Sequence, residues 1–149
     1  MVFSEPSDAA SRAAIAEYRA LAPHSLAEHL GIELQELGPD RVVATMPVDA
    51  RTRQPFGVLH GGASVALAET VASLGAWHCV DRERFAAVGL EINANHLRGV
   101  RDGVVRAVGT PVHRGRSTHV WSIEIRDETE RMVCIARCTL AIVPRAPAG

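Results

Sequence analysis

No lysine occurs anywhere in this chain, whose 16 basic residues are all arginine. The absence removes whole mechanisms, because a Walker-type phosphate lysine and a Schiff-base lysine each need a side chain that is not there. An excess of positive charge is missing too. The net charge of −1 argues against a general nucleic-acid binder, which carries a strongly basic domain. No window approaches the roughly 18 uninterrupted apolar residues of a membrane span, and the opening "MVFSEPSDAA" lacks the basic and apolar regions of a secretory signal. A cytoplasmic protein without a membrane partner is the expectation. Cysteine is sparse: Cys79, Cys134 and Cys138 are odd in number and lack metal-knuckle spacing. On a strand over 131–143, Cys134 and Cys138 would stand about 13 Å apart at ~3.3 Å per residue, too far for one disulfide or one metal. All three therefore read as small core residues. No metal is expected elsewhere, since His24 and His29 are five apart rather than four and no pair of His, Asp or Glu near Glu69 has ligand spacing.

What is present fits one domain of 149 residues with 47% apolar content and a proper core. Residues 1–30 read as a helical lead, in which Ala14, Ile15, Tyr18 and Leu21 fall near helical spacing until Pro23 interrupts. "GIELQEL" and "RVVATMPV" read as a hairpin turning at Gly38-Pro39-Asp40. A polar loop, "DARTRQPFGVLHGG", leads into an apolar helix over roughly residues 62–80, and four extended segments follow at 86–98, 103–113, 117–127 and 131–143. A helix too apolar for any surface, among about six strands joined by antiparallel-style turns, implies an α+β layer in which a curved sheet wraps the helix. The tail over 144–149, "PRAPAG" from Pro144, is expected to fray.

Within the apolar helix stands Glu69. An ionised carboxylate buried without a partner costs several kcal/mol, so it is exposed, neutral, paired with an arginine, or functional. His60-Gly61-Gly62 opens the same helix, where first-turn N–H groups lack intrahelical partners and the glycines allow close approach to an oxygen bearing negative charge. Gln54 precedes it, and Ser73 lies one turn beyond Glu69 on the same face. No G-x-S-x-G elbow surrounds Ser64, which speaks against a serine triad. If the Gly61 N–H and Glu69 flank one reacting carbonyl, eight residues of helix hold them about 12 Å apart within one chain. Two antiparallel helices side by side in a dimer would bring them together, with Ala63, Ala66, Ala68 and Ala72 small enough for the approach. The segment from His96 to Thr118 carries Arg98, Arg101, Arg106, Arg114, Arg116, His96 and His113 against the single acid Asp102, which is either an anion site or a set of solvated strand faces.

The run "ATMPVDARTRQPFGVLHGGASVALAE", with "VGLEINANH" and "VWSIEI" after it, resembles the hotdog-fold acyl-CoA thioesterases. Within them it is most similar to the 1,4-dihydroxy-2-naphthoyl-CoA thioesterases of the 4-hydroxybenzoyl-CoA thioesterase type. The similarity covers about residues 31–143. It implies a single hotdog domain, an acyl-CoA substrate, no cofactor beyond the coenzyme A of that substrate, a homodimer or homotetramer, and a place in menaquinone biosynthesis. It makes Glu69 the nucleophile or general base and gives the Gly61 N–H the polarisation of the thioester carbonyl, with Gln54 and His60 near the same oxygen. Ser73 would assist the hydrolytic step. His96 would lie near the acyl or thiol end, Phe56 and Gly62 would belong to the substrate-binding residues, and Arg98, His113, Arg114, Arg116 and Ser117 would hold the nucleotide part of coenzyme A. Phe56, Leu59, Leu74 and Trp77 are candidates for an apolar acyl pocket. Two other functions use the same fold: an acyl-CoA hydratase or dehydratase, and a non-catalytic acyl-CoA-binding module, for which Glu69 and Gln54 would have no use.

Overall fold

The computed structural model describes residues 8–145. The first seven residues of the expected lead and residues 146–149 of the expected tail lie outside them, whereas Pro144 and Arg145, expected to fray, are held: Pro144 pairs with Phe85 in the last strand, and the Arg145 N–H donates to the Arg84 carbonyl at 2.9 Å. Helix α1 (Ala9–Leu21) starts where the Asp8 carboxylate accepts the Ser11 N–H at 2.7 Å. Its buried Ala14 and Ile15 pack inward, and the Ser11 hydroxyl accepts the Leu37 N–H at 2.9 Å, tying the helix to the first strand. After Pro23 comes a one-turn helix, α2 (Leu26–Leu30), capped by Ser25 and closed by Gly31. Gly31 adopts φ 70°, and the Ile32 N–H reaches back to the Ala27 carbonyl at 2.8 Å, a Schellman ending that needs the left-handed residue.

Strands β1 (Glu33–Leu37) and β2 (Val42–Pro47) form the expected hairpin. Helix α3 (Gly61–Cys79) follows, then β3 (Phe85–His96), β4 (Val104–Arg114), β5 (Thr118–Arg126) and β6 (Met132–Pro144). The strands make one antiparallel sheet in the order β1-β2-β4-β5-β6-β3. Alternation in β5 and β6 puts Trp121, Ile123, Ile125, Cys134, Ala136, Cys138 and Leu140 on the inner face, where they meet Leu67, Ala68, Val71 and Ala72 of α3. Helix and sheet approach closely because glycine stands at two contacts: a Cβ on Gly75 would come within 2.4 Å of the Trp121 ring, and one on Gly109 within 2.4 Å of Val71.

That packing corrects one expectation. Ala63, Ala68 and Ala72 are buried against the protein's own sheet, and of the four small residues only Ala66 is partly open. The open stripe of α3 is Val65, Ala66, Glu69, Thr70, Ser73 and Trp77, which recur three and four residues apart. Cys134 and Cys138 are buried and Cys79 half-buried, all free thiols. No helix among the described residues is long and apolar enough to cross a membrane.

Candidate active site

The loop between β2 and α3 is held by its own polar groups. The buried Thr52 hydroxyl donates to the Pro47 carbonyl at 2.7 Å and accepts the Asp49 N–H at 3.1 Å. The Arg53 guanidinium donates to the carbonyls of Arg101 at 2.7 Å and Val48 at 3.1 Å. Leu59 donates to Val100 at 2.7 Å and His60 to Thr52 at 2.8 Å. So braced, the loop delivers Gln54 and the start of α3 to one place. His60 is the helix N-cap: its Nδ1 accepts the Gly62 N–H at 2.8 Å, and its carbonyl takes the Ala63 and Ser64 N–H groups. The His60 ring therefore spends one nitrogen on the helix itself.

Nothing among the described residues accepts the Gly61 N–H. Beside it, a cavity of about 380 Å³ is lined by Gln54, Gly61, His96 and Arg98. Gln54 Oε1 accepts the Phe56 N–H, which leaves its amide donors for a ligand. His96, at the end of β3, lies on Gly61 so closely that a Cβ there would stand 2.9 Å from Nε2. Two donor groups with open valences at the positive end of a helix suit a carbonyl oxygen that gains negative charge.

Glu69 lies elsewhere. With Gly62 and Ser73 it lines a separate cavity of about 560 Å³ on the open stripe of α3. It is half-buried and has no hydrogen bond or ion pair among the described residues, so the arginine-paired alternative does not hold. Its carboxylate rests against the backbone of β3, where a Cβ on Gly89 would come within 2.8 Å of Oε1, and the strand register shifts between Gly89 and Glu91. Below it, the Cys138 thiol is pushed up to about 11, first by burial and then by the charges of Glu69 and Glu91.

The arginine-rich segment does not form one cluster. His96 and Arg98 belong to the Gln54 and Gly61 cavity, whereas Arg114 and Arg116 line a cavity of about 440 Å³ with Cys79 and His119 at the far end of α3. The ends of that helix are about 27 Å apart at 1.5 Å per residue, and β4 runs its full length between the two basic groups. Arg114 is committed to the hairpin turn, donating to the Pro39 carbonyl and the Asp40 carboxylate, each at 2.8 Å. His113 and Ser117 flank this second cavity in sequence; both are exposed. His119 is buried with an unpartnered Nδ1, and burial, then the charges of Arg114 and His113, lower its pKa.

The acyl-pocket candidates scatter. Phe56 is 85% exposed, Leu59 is core, and Trp77 carries the Arg82 guanidinium 4.1 Å from its ring centre; Leu74 alone reaches the Glu69 cavity. Gly89, absent from the candidates above, is the residue whose missing side chain makes room for Glu69. A glycine inside a strand pattern marks such an approach, and "VGLEIN" carries that signal. Among the described residues no group of three or more His, Cys, Asp or Glu could hold a metal ion.

Residues 56–134, which run from this loop through α3 into β6, match the Thioesterase superfamily. The chain is 60% identical over 122 residues to ComA2 of Bacillus subtilis, named as an esterase, covering 82% of this chain and 97% of that one. It is 53% identical over 114 residues to the 1,4-dihydroxy-2-naphthoyl-CoA hydrolase of Escherichia coli, covering 76% and 83%. Among solved structures, a glutamine-to-alanine variant of thioesterase PA1618 from Pseudomonas aeruginosa superposes with a TM-score of 0.85 at 46% identity, covering 88% of this chain and 94% of that one.

Proposed function

The chain belongs to the thioesterase superfamily, has its hotdog fold, and is an enzyme that hydrolyses thioesters; from that premise we propose that its substrate is an aroyl-CoA and that two copies of the chain build each active site. The observation that carries the shared site is the separation within one chain: the open donors of Gly61 and Gln54 line one cavity, and the unpaired carboxylate of Glu69 lines another. Eight residues of helix, about 12 Å, lie between Gly61 and Glu69. The edge strand β3 supports the same reading, because it is 12 residues long, pairs on one side only, and exposes Val88 and Leu90.

In this reading the thioester carbonyl of the substrate accepts the Gly61 N–H and the Gln54 amide of one copy. Glu69 of the other copy faces the carbonyl carbon, either attacking it directly or taking a proton from the water that does. An oxygen–carbon bond forms, the negative charge collects on the carbonyl oxygen under the two donors, and the carbon–sulfur bond breaks as the coenzyme A thiolate leaves. If Glu69 attacks, the acyl-enzyme anhydride is then cleaved by water, with the Ser73 hydroxyl one turn away to hold that water. One oxyanion donor is worth ~3–4 kcal/mol in such steps. His96 and Arg98 flank the thiol end, and Arg116 and His113 are suited to the nucleotide phosphates. A single domain working as a homodimer or homotetramer in the cytoplasm belongs to the same proposal.

The aroyl preference draws on the 53% identity to a 1,4-dihydroxy-2-naphthoyl-CoA hydrolase; acting on that thioester would put the chain in menaquinone biosynthesis. A panel of aroyl- and alkyl-CoA thioesters, followed by release of free thiol, tests it. The expected result is a kcat/KM for hydroxylated aroyl-CoA at least tenfold above that for butyryl-CoA. Equal rates on the alkyl thioesters would refute the substrate assignment.

A further inference from the structure

The cavity that holds Glu69 has a second wall, and α3 does not build it. Opposite Glu69, Ser73 and Leu74 stand Tyr18 of α1 and Leu26 at the start of α2. We propose that the acyl group of the thioester is received between α3 and the N-terminal helices, and that Tyr18 and Leu26 select there for a flat, hydroxyl-bearing aromatic acyl group. The inference rests on the reading of Glu69 as the catalytic carboxylate and extends it to specificity.

Size is the first argument. At about 560 Å³ the cavity lies within the roughly 300–1,000 Å³ of small-molecule sites, roomy enough for a bicyclic ring. The second is the state of its wall. Leu26 is 65% exposed although it is a large aliphatic side chain held in place from both ends of its helix, by the Ser25 cap and the Gly31 turn. An apolar group fixed at a cavity rim gains by being covered, at roughly 25 cal/mol for each Å² removed from water. The third is the account of hydroxyls. Ser25 accepts the Glu28 N–H at 3.2 Å and Thr70 donates to the Ala66 carbonyl at 2.7 Å, so both are spent on their helices. The Tyr18 and Ser73 hydroxyls have no hydrogen bond among the described residues. Ser73 sits beside Glu69 on α3, which leaves the Tyr18 phenol as the polar group on the far wall. A phenol is neutral near pH 7, and burial raises the Tyr18 pKa further, so this hydroxyl can donate to or accept from a ring hydroxyl. Its ring packs on the core, which fixes where that hydroxyl points.

The firmness of the N-terminal segment makes this wall a selector. α1 is fastened by the Asp8 cap and by the Ser11 bond to Leu37, and the Arg82 guanidinium pairs with Glu17 at 2.6 Å, joining α1 to the chain just past α3. A wall held in this way rejects a misfit group by shape, and an apolar pocket with one well-placed hydroxyl discriminates most strongly against ligands that leave that hydroxyl unpaired.

The experiment compares 1-hydroxy-2-naphthoyl-CoA, 2-naphthoyl-CoA and butyryl-CoA in the wild type, Tyr18→Phe and Leu26→Ala, measuring kcat/KM by thiol release. Within Tyr18→Phe, the preference for hydroxynaphthoyl over naphthoyl should fall three- to tenfold. Within Leu26→Ala, the preference for naphthoyl over butyryl should fall at least fivefold, with the change in KM. Ratios inside one variant cancel any loss of folded protein. Ratios unchanged within twofold in both variants, or rates that fall equally for all three thioesters, overturn the proposal. Glu69→Gln run on the same three substrates separates the two layers: turnover retained there refutes the catalytic reading, whereas turnover lost there with unchanged ratios in the wall variants refutes the acyl pocket alone.

Discussion

Glu69 and Asp127 are both carboxylates drawn at least partly out of solvent, and they are treated in opposite ways. Asp127, 6% exposed in the turn from β5 to β6, accepts the Thr129 N–H at 2.9 Å, the Thr129 hydroxyl at 2.7 Å, the Arg131 N–H at 3.1 Å and the Arg131 Nε at 3.0 Å. Burial alone would raise its pKa, but those bonds outweigh it and hold the group at about 2. Glu69 accepts no such bond. A carboxylate with every lone pair engaged stabilises the fold and can do nothing else. One with its lone pairs open toward a cavity adds no stability through hydrogen bonding and is available to a substrate. The same contrast separates Arg114, spent on Pro39 and Asp40, from the open N–H of Gly61.

The largest expected effect falls on the open carboxylate. Glu69→Gln removes charge and little volume, so turnover should drop at least 100-fold, about 2.7 kcal/mol of barrier, while the melting temperature stays within a few degrees. A variant with more than a tenth of wild-type kcat would remove Glu69 from the chemistry. Gly89→Ala sharpens the point by leaving Glu69 in the chain and shifting it: the new methyl would meet Oε1 at 2.8 Å. A ten- to 100-fold loss of kcat with KM little changed is expected, and Gly89→Ser should be no better. Unchanged kcat would show that the carboxylate needs no fixed seat.

Asp127→Asn should reverse the pattern. The new amide would turn a donor toward the Arg131 guanidinium, costing about 1–3 kcal/mol of stability with the activity of the folded enzyme preserved. Its pH dependence has a definite sign. The folded pKa of about 2 lies below the ordinary 3.8, so the wild type keeps this stability above about pH 4 and loses it as pH falls toward 2. Chemical denaturation at several pH values should show that loss in the wild type and less of it in Asp127→Asn. The smallest effect is Ser73→Ala, about tenfold or less in kcat, as befits one auxiliary hydrogen bond.

Much of this contrast is legible in the residues themselves. The apolar α3, the hairpin at Gly38-Pro39-Asp40 and the alternating β5 and β6 declare themselves by period, because a sheet that buries one face and a helix it wraps impose periods of two and 3.6. Glu69 is conspicuous for the same reason. Less visible is what depends on approach in space. Ala63, Ala68 and Ala72 can serve a partner helix or the protein's own sheet equally well, and only packing decides for the sheet. His96 and Arg116 look like neighbours in a basic run until β4 carries them to opposite ends of α3. The second wall of the Glu69 cavity comes from Tyr18 and Leu26, more than 40 residues earlier in the chain, and no local pattern joins them to it.

The central claim is that the donors and the carboxylate of each site come from different copies, and complementation tests it most directly. Gly61 is a poor place for the donor lesion, since any side chain there meets His96 Nε2 at 2.9 Å. Gln54→Ala removes a donor without that clash and should cost about 10²–10³ in kcat. Gln54→Ala and Glu69→Gln, each with its own tag, are co-expressed, and assemblies carrying both tags are isolated by tandem affinity purification. In a mixed dimer one site joins both lesions and the other joins intact Gln54 and Gly61 to intact Glu69. Thiol release should therefore rise to as much as about half the wild-type rate per mixed dimer, at least tenfold above either parent. Mixed assemblies no more active than the average of their parents would mean that both groups act within one chain, contradicting the shared site.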